Sequence, residues 1–156
     1  GNVMKLISSA FDQGENIPTR FTCEGEDISP PISWEGVPEN TNVLALVVDD
    51  PDASSGSFTH WIVYNIPVKP SGLEEDVSLS ERFSEGLREG FNNFGNQGYG
   101  GPCPPRGHSA HRYYFRLYAL DEPLKFTGRV TKDQLYEAMQ GKIIEEAVLL
   151  GRYARE

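Results

Sequence analysis

Short apolar runs separated by turn residues are the main pattern of the chain before residue 130. The run 43–48 (VLALVV) is uninterrupted and ends in Asp, Asp and Pro, which predicts a buried strand. The segments 60–66 (HWIVYNI) and 112–120 (RYYFRLYAL) are rich in aromatic and β-branched residues, a composition that also favours strands. We therefore expect three strands in the middle of the chain.

Proline interrupts the N-terminal third repeatedly, and proline has no N–H to donate to a sheet ladder. Short apolar stretches at 5–8 and 21–23 are the strand candidates in this part of the chain. Because prolines surround them, we expect edge strands and loops there.

A helical pattern begins at Thr131, whose hydroxyl can cap a helix while Gln134 completes a capping box. Apolar residues then recur at helical spacing as far as Leu150, which predicts a core-packing helix that Gly141 kinks or splits. Gly151 is the predicted C-terminal stop. Because strands outnumber helices and do not alternate with them, the pattern predicts a mainly β fold of antiparallel strands with a C-terminal helix.

Length and composition narrow the class of protein. A chain of 156 residues can bury its own core, so we expect one domain over 1–156, and 16 Gly with 11 Pro indicate many turns. The longest aliphatic run is far shorter than the roughly 20 residues that cross a bilayer. A net charge of −9 disfavours nucleic acid and anionic membranes. We expect a soluble, cytoplasmic protein with no membrane span and no nucleic-acid partner.

The two cysteines, Cys23 and Cys103, have neither a CxxC pattern nor the spacing of zinc ligands. Two cysteines are also too few for a disulfide scaffold. The prediction is that both are reduced thiols.

The charge is distributed unevenly along the chain. Between Glu89 and Asp121 there is no acidic residue, whereas three arginines and two histidines lie there among several glycines. Glycine lets backbone N–H groups approach an anion closely, so the combination suggests an anion pocket. A solvated basic segment is the alternative.

Candidate chemistry lies where the predicted strands begin and end. Asp50 and Asp52 flank a proline at the end of the first predicted strand, and His60 begins the next after a Gly/Ser loop. His111 stands at the head of the third. A carboxylate that accepts the proton of one imidazole nitrogen fixes the tautomer and leaves the other nitrogen for a ligand. Structural turns and inert strand-edge histidines are the alternatives for each residue taken alone.

Other chemistries fit less well. His108 and His111 with Asp50 or Asp52 could form a metal site, but HxxH on a loop lacks the spacing that a helix gives. Cys103 could be a nucleophile only with a lowered thiol pKa. Nearby aromatic residues would either wall a small pocket or pack in the core; they are Trp61, Tyr99 and Tyr113.

These residues together resemble the phosphatidylethanolamine-binding protein family, also called Raf kinase inhibitor-like proteins, in its shorter bacterial and archaeal form. The resemblance runs through FTCEGEDISPPISW (21–34), DDPDAS (49–54), HWIVYNIP (60–67) and GYGGPCPPRGHSAHRYYF (98–115). It extends into the C-terminal helical pattern and so covers nearly the whole chain.

The resemblance implies a Greek-key fold of two antiparallel sheets with a C-terminal helix and a small anion pocket. Its implied ligand-binding residues are Asp50, Asp52, His60, Gly101, Cys103 at the rim, Pro105, His111 and Tyr113. In that expectation the aspartate orients a histidine, both histidines donate to the anion, and the glycine offers its backbone.

The function expected from this resemblance is noncatalytic binding of a phosphate-like, carboxylate or phospholipid head group, without a cofactor or metal, which modulates a partner such as a kinase. The alternative is a serine protease inhibitor, and a small hydrolase is a weaker alternative. A homodimer is a further possible assembly.

Overall fold

The structure, a computed structural model, describes residues 3–84 and 86–156. Eight strands are β1 (Lys5–Ile7), β2 (Ile32–Glu35), β3 (Val43–Asp50), β4 (Phe58–Ile66), β5 (Gly72–Leu73), β6 (Arg88–Glu89), β7 (His111–Leu120) and β8 (Ile143–Tyr153). One α-helix, α1, spans Lys132–Met139, and two short 3-10 helices span Thr19–Phe21 and Glu81–Ser84. The three strands predicted for the middle of the chain are confirmed as β3, β4 and β7.

The strands form two antiparallel sheets, which confirms the predicted fold class. The smaller sheet has the order β1-β2-β5, and the larger has the order β6-β4-β3-β7-β8. β3 is therefore the central strand, with β4 on one side and β7 on the other. The prediction of a strand at 5–8 is confirmed by β1, which lies at the edge of the smaller sheet.

The larger sheet is covered on both faces, and this explains the uninterrupted apolar run in β3. Leu44, Leu46 and Val48 face a core shared with the small sheet, where Trp34 and Leu6 also lie. The alternate side chains of β3 face a second cluster, which includes Leu135 and Met139 of α1. Because side chains alternate across a strand, a strand buried on both faces needs apolar residues at consecutive positions.

The helix predicted from Thr131 is half right. Its start is confirmed, since the Thr131 N–H donates to the Gln134 side chain at 2.9 Å. The helix ends at Met139, however, and the segment predicted to continue it to Leu150 is the edge strand β8, paired with β7 along its length. Gly141, with a φ of 78°, lies in the turn that separates helix from strand. Gly151 is a strand residue opposite Tyr113 rather than a helix stop.

Two further predictions, one for a strand at 21–23 and one for the cysteines, are wrong. The candidate strand at 21–23 is instead the end of a 3-10 helix followed by turns. Cys23 and Cys103, predicted to be reduced thiols, form a disulfide across 80 positions of sequence. The bond is supported by a neighbouring hydrogen bond, in which the Cys23 N–H donates to the Pro102 carbonyl at 3.1 Å. The two segments are adjacent only in the folded chain.

None of the helices in the described residues is long and apolar enough to cross a membrane.

Candidate functional site

The topology of the larger sheet brings the candidate residues to one end. β3 ends at Asp50, and its antiparallel neighbours β4 and β7 both begin at that same end of the sheet. Asp50 pairs in register with Phe58, two residues before His60, and His111 is the first residue of β7. Strand pairing alone therefore makes neighbours of Asp50, His60 and His111.

A cavity of about 240 Å³ lies at this end of the sheet. We call it the histidine pocket. Six residues expected to bind a ligand line it: Asp50, His60, Cys103, Pro105, His111 and Tyr113. The structure thus brings most of the predicted site residues together around one space.

Asp50 and His111 form the best-defined polar contact of the histidine pocket. The Asp50 Oδ2 and His111 Nδ1 atoms lie 2.6 Å apart, and both side chains are buried. A carboxylate can only accept, so Nδ1 carries the proton and donates to Asp50. The second ring nitrogen, Nε2, has no partner among the described residues and belongs to the ring that lines the cavity. This geometry is the one predicted for an aspartate that orients a histidine.

His60 is anchored in a similar way by a backbone group. Its Nδ1 lies 2.7 Å from the Gly100 carbonyl oxygen, which again requires a proton on Nδ1. Burial lowers the pKa of His60, and this effect is offset only in part by the hydrogen bond to Gly100 and then by the charges of Asp50 and Asp49. The free pocket therefore holds a neutral His60 ring whose Nε2 accepts hydrogen bonds rather than donating them.

Tyr113 adds a hydroxyl with no partner. Its side chain is 1% exposed, and its oxygen has no hydrogen-bond partner in the described structure. Burial, followed by the charges of Asp50 and Asp52, raises the pKa of Tyr113 well above its usual value. The phenol is therefore a protonated donor beside the cavity, and leaving such a group unsatisfied costs free energy.

Gly101 does not line the histidine pocket. Its N–H donates to Asp27 Oδ1 at 2.8 Å, so the backbone donor expected to meet an anion is already engaged. A Cβ at this position would overlap the carbonyl oxygen of Phe21 and the carboxylate of Asp27. Glycine is needed here because the segment packs closely against the loop that carries the 3-10 helix.

Asp52 also lies outside the histidine pocket. It faces an adjoining open recess of about 590 Å³, here called the outer recess, whose lining includes Asp52, Ser109, His111, Arg112 and Arg152. Arg112 binds Asp52 through two guanidinium nitrogens, Nε at 3.0 Å and Nη2 at 2.8 Å, and through its backbone N–H at 2.9 Å. The hydrogen bond from the Arg112 side chain is the main cause that lowers the pKa of Asp52 to about 2.

The aromatic residues expected near the pocket divide between pocket and core. Trp61 is fully buried, donates from Nε1 to Glu89 at 2.7 Å and packs edge-on against Tyr99 at 5.4 Å between ring centroids. Tyr99 donates its hydroxyl to the Phe21 carbonyl. Neither lines the cavity, so of the three only Tyr113 walls it.

Half of the residues that line the histidine pocket were not predicted from the sequence. These residues are Ala53, Ser54, Ser55, Phe58, Phe94 and Pro104. The ring centroid of Phe94 lies 5.5 Å from that of His60, and Phe94 is 47% exposed, which places an apolar group at the pocket rim. Phe94 lies in a polar Asn/Gly loop with no hydrophobic periodicity, so no sequence pattern marks it. For Phe58, the one signal is its position just before the predicted strand.

The structure also shows where the residues of the nucleophile and metal-site alternatives lie. Cys103 is bonded to Cys23 and is not available as a thiolate nucleophile. His108 and His111 lie 6.3 Å apart between ring centroids, and the described residues contain no group of three or more His, Cys, Asp or Glu side chains that could hold a metal.

Comparisons with known proteins place the chain in a family. The family model described as phosphatidylethanolamine-binding protein matches residues 7–154. A protein named UPF0098 from Methanothermobacter thermautotrophicus is 49% identical over 152 residues, covering 97% of this chain and 99% of the relative. An Aquifex aeolicus UPF0098 protein is 46% identical over 157 residues, covering 100% and 91%.

Solved structures agree with these matches. The crystal structure of a putative phosphatidylethanolamine-binding protein homologue from Chlamydia trachomatis has a TM-score of 0.90 and 42% identity, with full coverage of both chains. E. coli YbcL, described as a new member of the mammalian family, has a TM-score of 0.89 and 30% identity, with coverage of 99% and 100%. The chain therefore belongs to the phosphatidylethanolamine-binding protein family.

Proposed function

We propose that this protein binds small anionic ligands in the histidine pocket, taking a phosphate-like or carboxylate group such as a phospholipid head group. One observation carries the proposal: two buried imidazoles, each held by a hydrogen bond to Nδ1, line the same cavity with Nε2 unengaged. Imidazoles fixed in this way are preorganised to meet a ligand, which reduces the entropy lost on binding. Uptake of one proton at His60 Nε2 turns that acceptor into a donor toward the anion.

The remaining lining supports a ligand with a charged head and an apolar portion. The buried Tyr113 hydroxyl is a donor without a partner, and an anion would supply the missing acceptor. Phe58, Phe94 and Pro105 give the same cavity apolar walls. Pockets that bind small molecules commonly combine a few placed polar groups with such walls.

Binding without catalysis is part of the proposal. The Asp50–His111 pair resembles half of a catalytic triad, but no serine hydroxyl among the described residues is hydrogen-bonded to His111, and the pocket cysteine is in a disulfide. Modulation of a partner, a kinase or alternatively a serine protease, stays an expectation from family resemblance. So does a cytoplasmic location, although a disulfide is more usual in oxidising compartments.

Calorimetric titration with inorganic phosphate tests the proposal. We expect His60→Gln to weaken binding about tenfold or more, since a hydrogen bond to a charged group contributes roughly 1.5 to 3 kcal/mol. Arg129→Gln is the control, because Arg129 lines a different surface cleft and stacks on Phe91. Thermal unfolding would establish that both variants fold. Phosphate binding that is absent in the natural protein, or unchanged in His60→Gln, would refute the proposal.

A further inference from the structure

The outer recess contains an arginine whose charge is not compensated. Arg112 and Arg152 lie directly opposite each other on β7 and β8. Arg112 is neutralised by Asp52, but the exposed guanidinium of Arg152 forms no ion pair or hydrogen bond with any described residue. A bound anion would supply the counter-charge that Arg152 lacks.

Asp52 is bound to Arg112 and not to Arg152. Asp52 Oδ2 accepts from the Arg112 backbone N–H and Nε, and Asp52 Oδ1 accepts from Arg112 Nη2. Fixing Arg112 by three bonds also gives the recess a rigid wall. The recess therefore has a paired arginine, Arg112, that forms part of its wall, and an unpaired arginine, Arg152, that gives it a positive charge.

Backbone donors add to this positive surface. The loop before β7 contributes Ser109 and Ala110 to the recess lining. Their N–H groups donate to no acceptor among the described residues, and both residues are exposed. Free backbone N–H groups beside a cation are a common arrangement for oxyanion binding.

The recess and the histidine pocket share one lining residue. His111 lines both spaces, whereas Asp50 lines only the pocket and Asp52 only the recess. A group held in the pocket and a group held beside Arg152 would therefore lie on the two sides of His111. A ligand with two anionic groups could occupy both if the link between them passes around the His111 ring.

We propose that the outer recess is a second anion subsite, and that the protein prefers ligands bearing two anionic groups, one in the histidine pocket and one at Arg152. This inference rests on the proposed function, because the first group occupies the pocket assigned there. The recess adds selectivity: a single phosphate uses the pocket alone, while a bis-anionic ligand such as a diphosphate or triphosphate ester gains the second contact.

Calorimetry at constant ionic strength with inorganic phosphate and inorganic triphosphate tests the inference. Triphosphate should bind the natural protein about tenfold or more tightly than phosphate, as one further charge-assisted contact implies. Arg152→Gln should remove most of that advantage and leave phosphate binding within about twofold. Arg129→Gln removes the same charge from another cleft and should change neither affinity.

The outcomes separate this inference from the proposed function. Equal affinities for the two probes in the natural protein, or equal losses in Arg152→Gln and Arg129→Gln, would overturn the second subsite while leaving the pocket in place. Triphosphate binding that depends on Arg152 but survives His60→Gln would put the ligand in the recess alone and would overturn the two-point arrangement. Failure of phosphate itself to bind would refute the proposed function.

Discussion

Asp49 and Asp50 are adjacent in sequence but serve opposite faces of the larger sheet. Asp50 accepts from His111 Nδ1 at 2.6 Å in the histidine pocket, whereas Asp49 accepts from Lys132 Nζ at 3.1 Å beside α1. Successive side chains of a strand point to opposite faces, so β3 places one carboxylate in the pocket and the other against the helix. A substitution of Asp49 can therefore serve as the control for the same substitution of Asp50.

Asp50→Asn should weaken phosphate binding about tenfold, because a neutral amide no longer stabilises the proton on His111 Nδ1 or fixes the ring. Asp49→Asn makes the same chemical change one residue away and should weaken binding less than Asp50→Asn. It disturbs the contact to Lys132 and removes the smaller of the two carboxylate effects on the His60 pKa. Calorimetry measures the affinities, and ¹⁵N NMR of the histidine rings reports the tautomer. Equal effects of the two substitutions would contradict an orienting role for Asp50.

Anion binding at His60 should be coupled to proton uptake. Burial lowers the pKa of His60 in the free protein, so the ring is neutral and Nε2 is an acceptor. A bound anion favours the protonated ring and raises that pKa, and affinity therefore increases as pH falls. Sulfate is a suitable probe because its own charge is constant between about pH 5 and pH 8, where histidine titrates.

Calorimetry across that range checks the coupling. We expect the sulfate affinity to rise steadily toward low pH in the natural protein and to rise less steeply in His60→Gln. Other ionisable groups around the ring are Asp49, Asp50, His111 and Tyr113, and they are shared by both proteins. An identical pH dependence in the two proteins would show that His60 is not the coupled group.

The central sheet and much of the pocket could be predicted because their signals are local. β3 is buried on both faces and so reads as a continuous apolar run. Its polar end, with the histidines at the starts of β4 and β7, places the site chemistry at strand termini. Antiparallel pairing then brings these termini together without further information.

β8 shows where the sequence was ambiguous. Its apolar residues satisfy helical spacing, but the buried positions in the structure are Ala147, Leu149, Gly151 and Tyr153, which alternate with the period of a strand. Pairing with β7 decided between the two patterns, and this tertiary preference is not visible in a short window. The disulfide and the recess escaped prediction for the same reason, since each joins segments that meet only in the fold.

Removal of the disulfide should destabilise the protein strongly. A crosslink that spans 80 positions restricts the unfolded chain, and loop-closure entropy for that length corresponds to about 4.5 kcal/mol. The double variant Cys23→Ala with Cys103→Ala should lose free energy of unfolding of this order in urea titrations. The natural protein in excess reductant should lose a similar amount, and reductant should not affect the double variant further. A stability unaffected by reductant would contradict a structural disulfide.

The close packing at Gly101 gives a prediction that separates support of the site from contact with ligand. Gly101→Ala places a methyl group against the Phe21 carbonyl and the Asp27 carboxylate, and relief of that overlap requires the segment to move. Overpacking of this kind costs about 1 to 3 kcal/mol, which chemical denaturation measures.

Because Gly100 holds His60 Nδ1 and Cys103 lies at the pocket rim, displacement of this segment should also weaken phosphate binding. Asp27→Asn retains an acceptor for the Gly101 N–H without adding bulk, so it should affect both quantities less. If Gly101→Ala were as stable as the natural protein and bound phosphate equally well, the segment would not depend on this close approach.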